Sequence, residues 1–163
     1  MAAISNPAHT RPRIPASSRQ GSTIAQFDDR SEAEAVARLP SDARAVSRAL
    51  RLARGFAASA GLEPAATGRL AVVVEEWVAN IVEHGGAQDG ARIFLRLRLV
   101  AGVVQLSVSD AGQPFDPRAA VFDGPNAERG GGAGLALIAG LCRIAGYARR
   151  AGRNRLVFEV PLS

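Results

Sequence analysis

The sequence predicts an α+β fold, with helices grouped on one face of a largely antiparallel sheet. Three observations carry it. Two segments, "ARIFLRLRLV" and "VVQLSVSD", alternate apolar and polar residues and meet at Ala101-Gly102. A long helical run precedes them, and a second hairpin pattern, "YARRAGRNRLVFEVPL", closes the chain. The order of elements is strand, two helices, hairpin, long loop, helix, hairpin, which segregates strands from helices.

Each element has a local reason. "EAVARLP" alternates weakly and reads as a short edge strand ending at Pro40. Ser41 and Asp42 open a helix to about Ala60, with Leu50, Ala53, Phe56 and Ala57 on one side, and Gly61 stops it. Pro64 suits the first turn of a second helix, which reaches about His84 and closes at Gly85-Gly86. In the strands that follow, Ile93, Leu95, Leu97 and Leu99 share one face, as do Val104, Leu106 and Val108. "LALIAGLCRIAG" is helical in length and period, and the last hairpin turns near Gly152 and Asn154.

Composition bounds the function. A chain of 163 residues, 47% hydrophobic and 21% charged, suits one globular domain with a real core. All 20 basic residues are arginine, and the formal net charge is +5. Such a balance fits nucleic acid, a membrane surface or an acidic partner. The arginines are scattered along the chain without aromatic interleaving, which favours a solvated surface and no direct nucleic-acid partner. The single Cys142 excludes an internal disulfide and reads as a small buried hydrophobe. No apolar run reaches the ~20 residues of a membrane span. Residues 1–26 carry prolines, serines and arginines but no acid, and no secretory h-region. They read as a disordered tail, with an organellar transit peptide as the alternative, and the domain runs from 27 to 163.

Three motifs stand out within this frame. The first is "VVVEEWVANIVEHGG". At 100° per residue, Leu70, Val73, Val74, Trp77 and Ile81 form one apolar stripe. Glu76, Asn80 and Glu83 lie on one flank of it, His84 lies between flank and stripe, and Glu75 lies on the opposite flank. Alone, the pattern also fits a solvated face whose terminal histidine complements the helix dipole. The second motif is "SVSDAGQPFDP". Asp110 shares the inward parity of Val104, Leu106 and Val108, and an inward carboxylate needs a donor, such as the exocyclic amine of adenine. Gly112 lets the backbone pass close to a flat ligand. An ordinary Asp-Gly turn is the alternative. The third is "ERGGGAGLALI". A glycine cluster leading into an apolar helix offers free N–H groups to phosphate. It is neither a P-loop nor a Rossmann fingerprint, and a flexible loop is the alternative.

Taken together, E-x-x-x-N-x-x-x-H, then D-x-G, then G-G-x-G-L on a helix resembles the N, G1 and G2 boxes of the GHKL ATPase superfamily. The closest resemblance is to the anti-sigma-factor serine kinase group, the RsbW and SpoIIAB type. It spans about Phe27 to Ser163 and implies the Bergerat ATP-binding fold, a two-layer α/β sandwich. It implies ATP and Mg²⁺ as cofactors, with Asn80 as the metal ligand and Glu76 as the catalytic base. Asp110 would read adenine above Gly112, with Gly131, Gly132, Gly134 and Leu135 on the phosphate side. His84 would support the site, and Arg129 would approach the γ-phosphate. Two departures matter. Relatives often place an arginine closer to the first glycine than Arg129, and Gln113-Pro114 replaces the second glycine of the histidine-kinase G1 box. No upstream helix carries a phosphoacceptor histidine, which also argues against a histidine kinase. The resemblance implies a cytoplasmic serine kinase that acts on a STAS-domain antagonist and binds a sigma factor. A PP2C-type phosphatase would oppose it, and the chain would form a homodimer as relatives often do. A nucleotide-loaded scaffold without turnover is the alternative. The loop from about Phe115 to Gly131 is longer than a connection needs and is expected to act as an ATP lid.

Overall fold

The computed structural model describes residues 33–86, 90–119 and 133–163. The tail at 1–26, most of the expected lid, and Arg129, Gly131 and Gly132 lie outside the described residues.

The elements follow the order strand, helix, helix, strand, strand, helix, strand, strand. Strand β1 spans Glu34–Pro40, helix α1 Ala45–Ser59, helix α2 Pro64–His84, strand β2 Arg92–Val100 and strand β3 Val103–Asp110. A single 3₁₀ turn at Pro117–Ala119 precedes helix α3, Ala133–Leu141, and strands β4, Arg143–Arg150, and β5, Arg153–Pro161, close the chain. The strands form one sheet in the order β1-β2-β3-β5-β4, and every neighbouring pair is antiparallel. The helices lie on one face, so the two-layer α+β arrangement expected from the sequence is the one observed.

The core sits between those layers. Leu70, Val73, Val74 and Val78 of α2 are buried against Ile93, Leu95, Leu97, Leu106 and Phe158 of the sheet. Burying each such side chain stabilises by about 1.5–3 kcal/mol. Helix α2 has its expected bounds because Pro64 starts it and Gly85 ends it. Its Arg69 donates to the carbonyls of Pro161 and Leu162, at 3.3 and 2.8 Å, which pins the end of β5 to the helix.

Several expectations shift. Helix α1 starts at Ala45, because the Asp42 carboxylate accepts from the Arg44 N–H at 2.8 Å and forms a turn before the helix. Ala49 is buried in α1, whereas Leu50 is only half-buried. The third helix ends at Leu141, not near Gly146, and Arg143 and Ile144 already belong to β4. Ile144 pairs with Phe158 and Gly146 with Val157, so Ala145 is the extra residue of a bulge. The turn of the last hairpin is Ala151-Gly152, and Asn154 lies within β5, buried.

Candidate functional site

The C-terminal half of α2, the end of β3, the start of β5 and the start of α3 surround a cavity of about 390 Å³. Trp77, Ile81, Pro114, Phe115 and Leu135 give it apolar walls. Asn80, His84, Asp110, Gln113 and Asn154 bring polar groups to it. An apolar cleft with a few convergent polar groups is the usual form of a small-ligand site.

Asp110 forms the polar floor and is 5% exposed. It reaches this position because β3 alternates and residue 110 keeps the inward parity of the core valines. Its Oδ1 accepts from the Gly112 N–H at 2.8 Å and from Asn154 Nδ2 at 2.9 Å. Among the described residues, Oδ2 has no donor, so one oxygen of a buried carboxylate is left for a ligand N–H.

Asn154 was missed by the sequence reading, which put it in a turn. It makes all the bonds an amide can make. Nδ2 donates to Asp110 Oδ1 and to the Gln113 carbonyl, and Oδ1 accepts from Tyr147 Oη at 3.0 Å and Arg149 Nη1 at 2.8 Å. Arg149 also donates to the Gly112 carbonyl at 2.9 Å. The signal was present: Asn154 is the polar residue at the inward parity of Leu156, Phe158 and Val160, as Asp110 is on β3.

Gly112 has a packing reason beside the one its motif suggests. A Cβ there would meet the Gly85 carbonyl oxygen at 2.5 Å and Asp110 Oδ1 at 3.0 Å. The loop presses on the end of α2, and the Gln113 N–H donates to that same Gly85 carbonyl at 2.7 Å. The missing side chain therefore makes room for the helix end.

Glu76 and Asn80 share the flank of α2 that faces α3, both half-buried, while Glu75 is exposed. Gly134 packs against the Glu76 carboxylate so closely that a Cβ there would occupy its position. Asn80 Nδ2 and Trp77 Nε1 are buried and have no hydrogen-bond partner among the described residues. Two orphaned polar atoms on one helix, beside an open cavity, mark places where a ligand or its water would complete the bonding. Trp77 stacks on Phe115 at 6.2 Å between centroids and meets Phe158 edge-on at 5.3 Å, which fixes its ring in the wall. His84 stands at the rim, largely exposed, with Nε2 3.8 Å from Glu83. Leu135 lines the cavity.

Among the described residues, no group of three or more His, Cys, Asp or Glu could hold a metal ion. The donor set still suits Mg²⁺, which keeps most of its shell as water and phosphate oxygens and asks the protein for only one or two oxygens. Asn80 would supply one such oxygen.

Residues 39–160 match the histidine kinase-like ATPase domain family. The chain belongs to that family. Domains of the family bind ATP, and the cavity of this ATPase domain lies within the matched residues. The crystal structure of the RsbU and RsbW domains of Rv1364c from Mycobacterium tuberculosis has the same fold, with a TM-score of 0.58 at 23% identity. The match covers 78% of this chain and 32% of that one, so the ATPase domain spans about a third of that protein's chain. Two structures of the Erythrobacter litoralis EL346 blue-light activated histidine kinase align with TM-scores of 0.47 and 0.46, at 20% and 17% identity. They cover 63% and 76% of this chain, and 32% and 62% of their own. No curated protein matches the chain. No helix among the described residues is long and apolar enough to cross a membrane.

Proposed function

We propose that the chain is an ATP-dependent serine kinase of the anti-sigma-factor type, with its domain over residues 27–163. The observation that carries this reading is the buried Asp110 carboxylate. One oxygen is held by Gly112 and Asn154, the other is left without a donor among the described residues, and the apolar-walled cavity that Asp110 lines is lined by Asn80 as well, one helical turn after Glu76. Membership of the histidine kinase-like ATPase family and the fold shared with an RsbW domain support it.

The roles follow from position. Asp110 Oδ2 accepts from the adenine amine, and Trp77, Ile81 and Leu135 enclose the base. Mg²⁺, when bound, neutralises phosphate charge and orients the γ-phosphate for transfer. Asn80 would supply its amide oxygen to the metal. Glu76, one turn earlier on the same flank, takes the proton from the attacking serine hydroxyl. His84 at the rim and Gly134 beside Glu76 shape the phosphate side; Arg129, Gly131 and Gly132 lie outside the described residues and are assigned there by the sequence resemblance alone. The substrate is a serine of a STAS-domain antagonist, and the second partner is a sigma factor. A PP2C-type phosphatase reverses the reaction, and the RsbU domain that accompanies RsbW in Rv1364c accords with such a circuit.

The test is incubation with Mg-ATP and STAS-domain proteins from the same genome, followed by mass spectrometry for phosphoserine. Phosphoserine that disappears with Glu76→Gln, and persists with Glu75→Gln, supports the kinase. Binding of ATP and partner with no transfer makes the domain a nucleotide-loaded scaffold instead.

A further inference from the structure

The sheet has two faces, and the described helices cover only one. The other bears large apolar side chains in the open: Val36 is 61% exposed and Phe94 37%. The arginines, scattered in the sequence, collect here, because strand alternation sends every second residue of β2 and β5 to this side.

The antiparallel register sets them in rows across the strands. One row runs Arg38, Phe94, Ser109, Arg155. The Arg38 and Arg153 guanidinium groups lie 5.2 and 4.8 Å from the centroid of the Phe94 ring. The next row runs Val36, Arg96, Ser107, Val157. A third runs Glu34, Arg98, Gln105, Glu159, Arg143. Arg92, Arg153 and Arg150 stand at the opposite end. Across these rows eight arginines meet two glutamates, and both glutamates are already ion-paired, Glu34 with Arg96 and Arg98, Glu159 with Arg143. The Arg96 guanidinium holds the Glu34 carboxyl below its usual range, so that pair stays charged around neutrality. The positive excess of this one face is larger than the formal net charge of the whole chain, +5.

We propose that this open face is a docking surface for an acidic protein partner. Charge complementarity selects the sign. The mixture selects a protein: arginine, phenylalanine and valine alternate in strips, as in the core of a protein interface, where arginine and aromatic residues are enriched. Nucleic acid demands cations free to track phosphates. Here Arg96 and Arg143 are tied to carboxylates, and Arg153 donates to the carbonyls of Arg92 and Ser109 at 2.9 and 2.8 Å. A second copy docked face to face would set arginine against arginine. The cavity floored by Asp110 lies on the helix side of the sheet, so a partner seated on the open face leaves it clear. The inference is therefore independent of the kinase reading.

The probe is a short peptide of alternating glutamate and valine, titrated into the full chain and followed by amide NMR. A lysine–valine peptide, a short DNA duplex and phosphatidylglycerol vesicles are titrated in parallel, and sedimentation reports self-association. The glutamate–valine peptide is expected to bind with shifts confined to β1, β2, β3, β4 and β5 residues of the open face. Arg92→Glu with Arg155→Glu weakens it at least ~10-fold with an unchanged melting temperature. Arg92→Gln with Arg155→Gln weakens it less, and Val36→Ser also weakens it, which bare charge attraction would not produce. Equal binding of the lysine–valine peptide would overturn the proposal, as would preference for the duplex or the vesicles. Retention by the charge-reversed variant, or a dimer buried through this face, would overturn it too.

Discussion

Asn154 Nδ2 donates to Asp110 Oδ1 at 2.9 Å, and the two residues stand opposite each other in the β3–β5 register. One buried polar residue thus holds another on adjacent central strands. Asn154→Ala removes a donor from Asp110 and leaves Tyr147 and Arg149 without their shared acceptor. The expected cost is about 1–3 kcal/mol of stability, with a parallel loss of ADP affinity. Denaturant titration and calorimetry on the same variant check both. Tyr147→Phe removes only one bond to Asn154, and is expected to cost about 0.5–1.5 kcal/mol.

Gly134 and Gly112 separate activity from stability. At Gly134 the atom in the way is the end of the flexible Glu76 side chain, so Gly134→Ala is expected to leave the melting temperature nearly unchanged while displacing that carboxylate. If Glu76 is the base, phosphotransfer falls by ~10²-fold or more. At Gly112 the atom in the way is the Gly85 backbone carbonyl, which cannot rotate aside. Gly112→Ala is expected to destabilise by about 1–3 kcal/mol. Thermal melts of both variants, beside single-turnover transfer for Gly134→Ala, distinguish the two.

The hairpin turns carry correctable strain. Ala101 has φ 45 and Ala151 φ 50, each followed by a glycine of positive φ. Such turns favour Asn-Gly, and alanine is disfavoured in the left-handed region. Ala101→Asn and Ala151→Asn are each expected to stabilise by about 0.5–1 kcal/mol, measured as a raised midpoint of urea unfolding.

Burial pushes the Cys142 thiol up, from an ordinary 9.0 to about 11. The folded value lies above the unfolded one, so this burial supports folding below about pH 9 and its contribution fades as pH rises through 11. Native protein at pH 8 is expected to react with a disulfide reagent far more slowly than the denatured chain.

Much of this architecture is written in local sequence. Pro64 and Gly85 bound α2 because each acts through its own backbone. The inward set of Val104, Leu106, Val108 and Asp110 follows from a period of two, and the α2 stripe from a period of 3.6. The boundary after Leu141 was not legible, because the apolar run continues into β4 without a breaker and the choice is made by pairing of Ile144 with Phe158. Asn154 hid for a related reason: beside Gly152 it looks like a turn residue, and only the register with β3 reveals it as the partner of Asp110. The reason for Gly112 was also non-local, since Gly85 is far from it in sequence. The arginine face was invisible in the same way, for scattered residues become a surface only when strands are laid side by side.

The most direct measurement is calorimetric titration of ADP with Mg²⁺ into the parent chain and into Asp110→Asn. The account predicts that the parent binds, and that the variant loses about 1–3 kcal/mol, roughly 5- to 150-fold, because an amide presents a donor where the adenine amine needs an acceptor. Equal ADP affinity for the two proteins, with their melting temperatures alike, would contradict it and take Asp110 out of the nucleotide site.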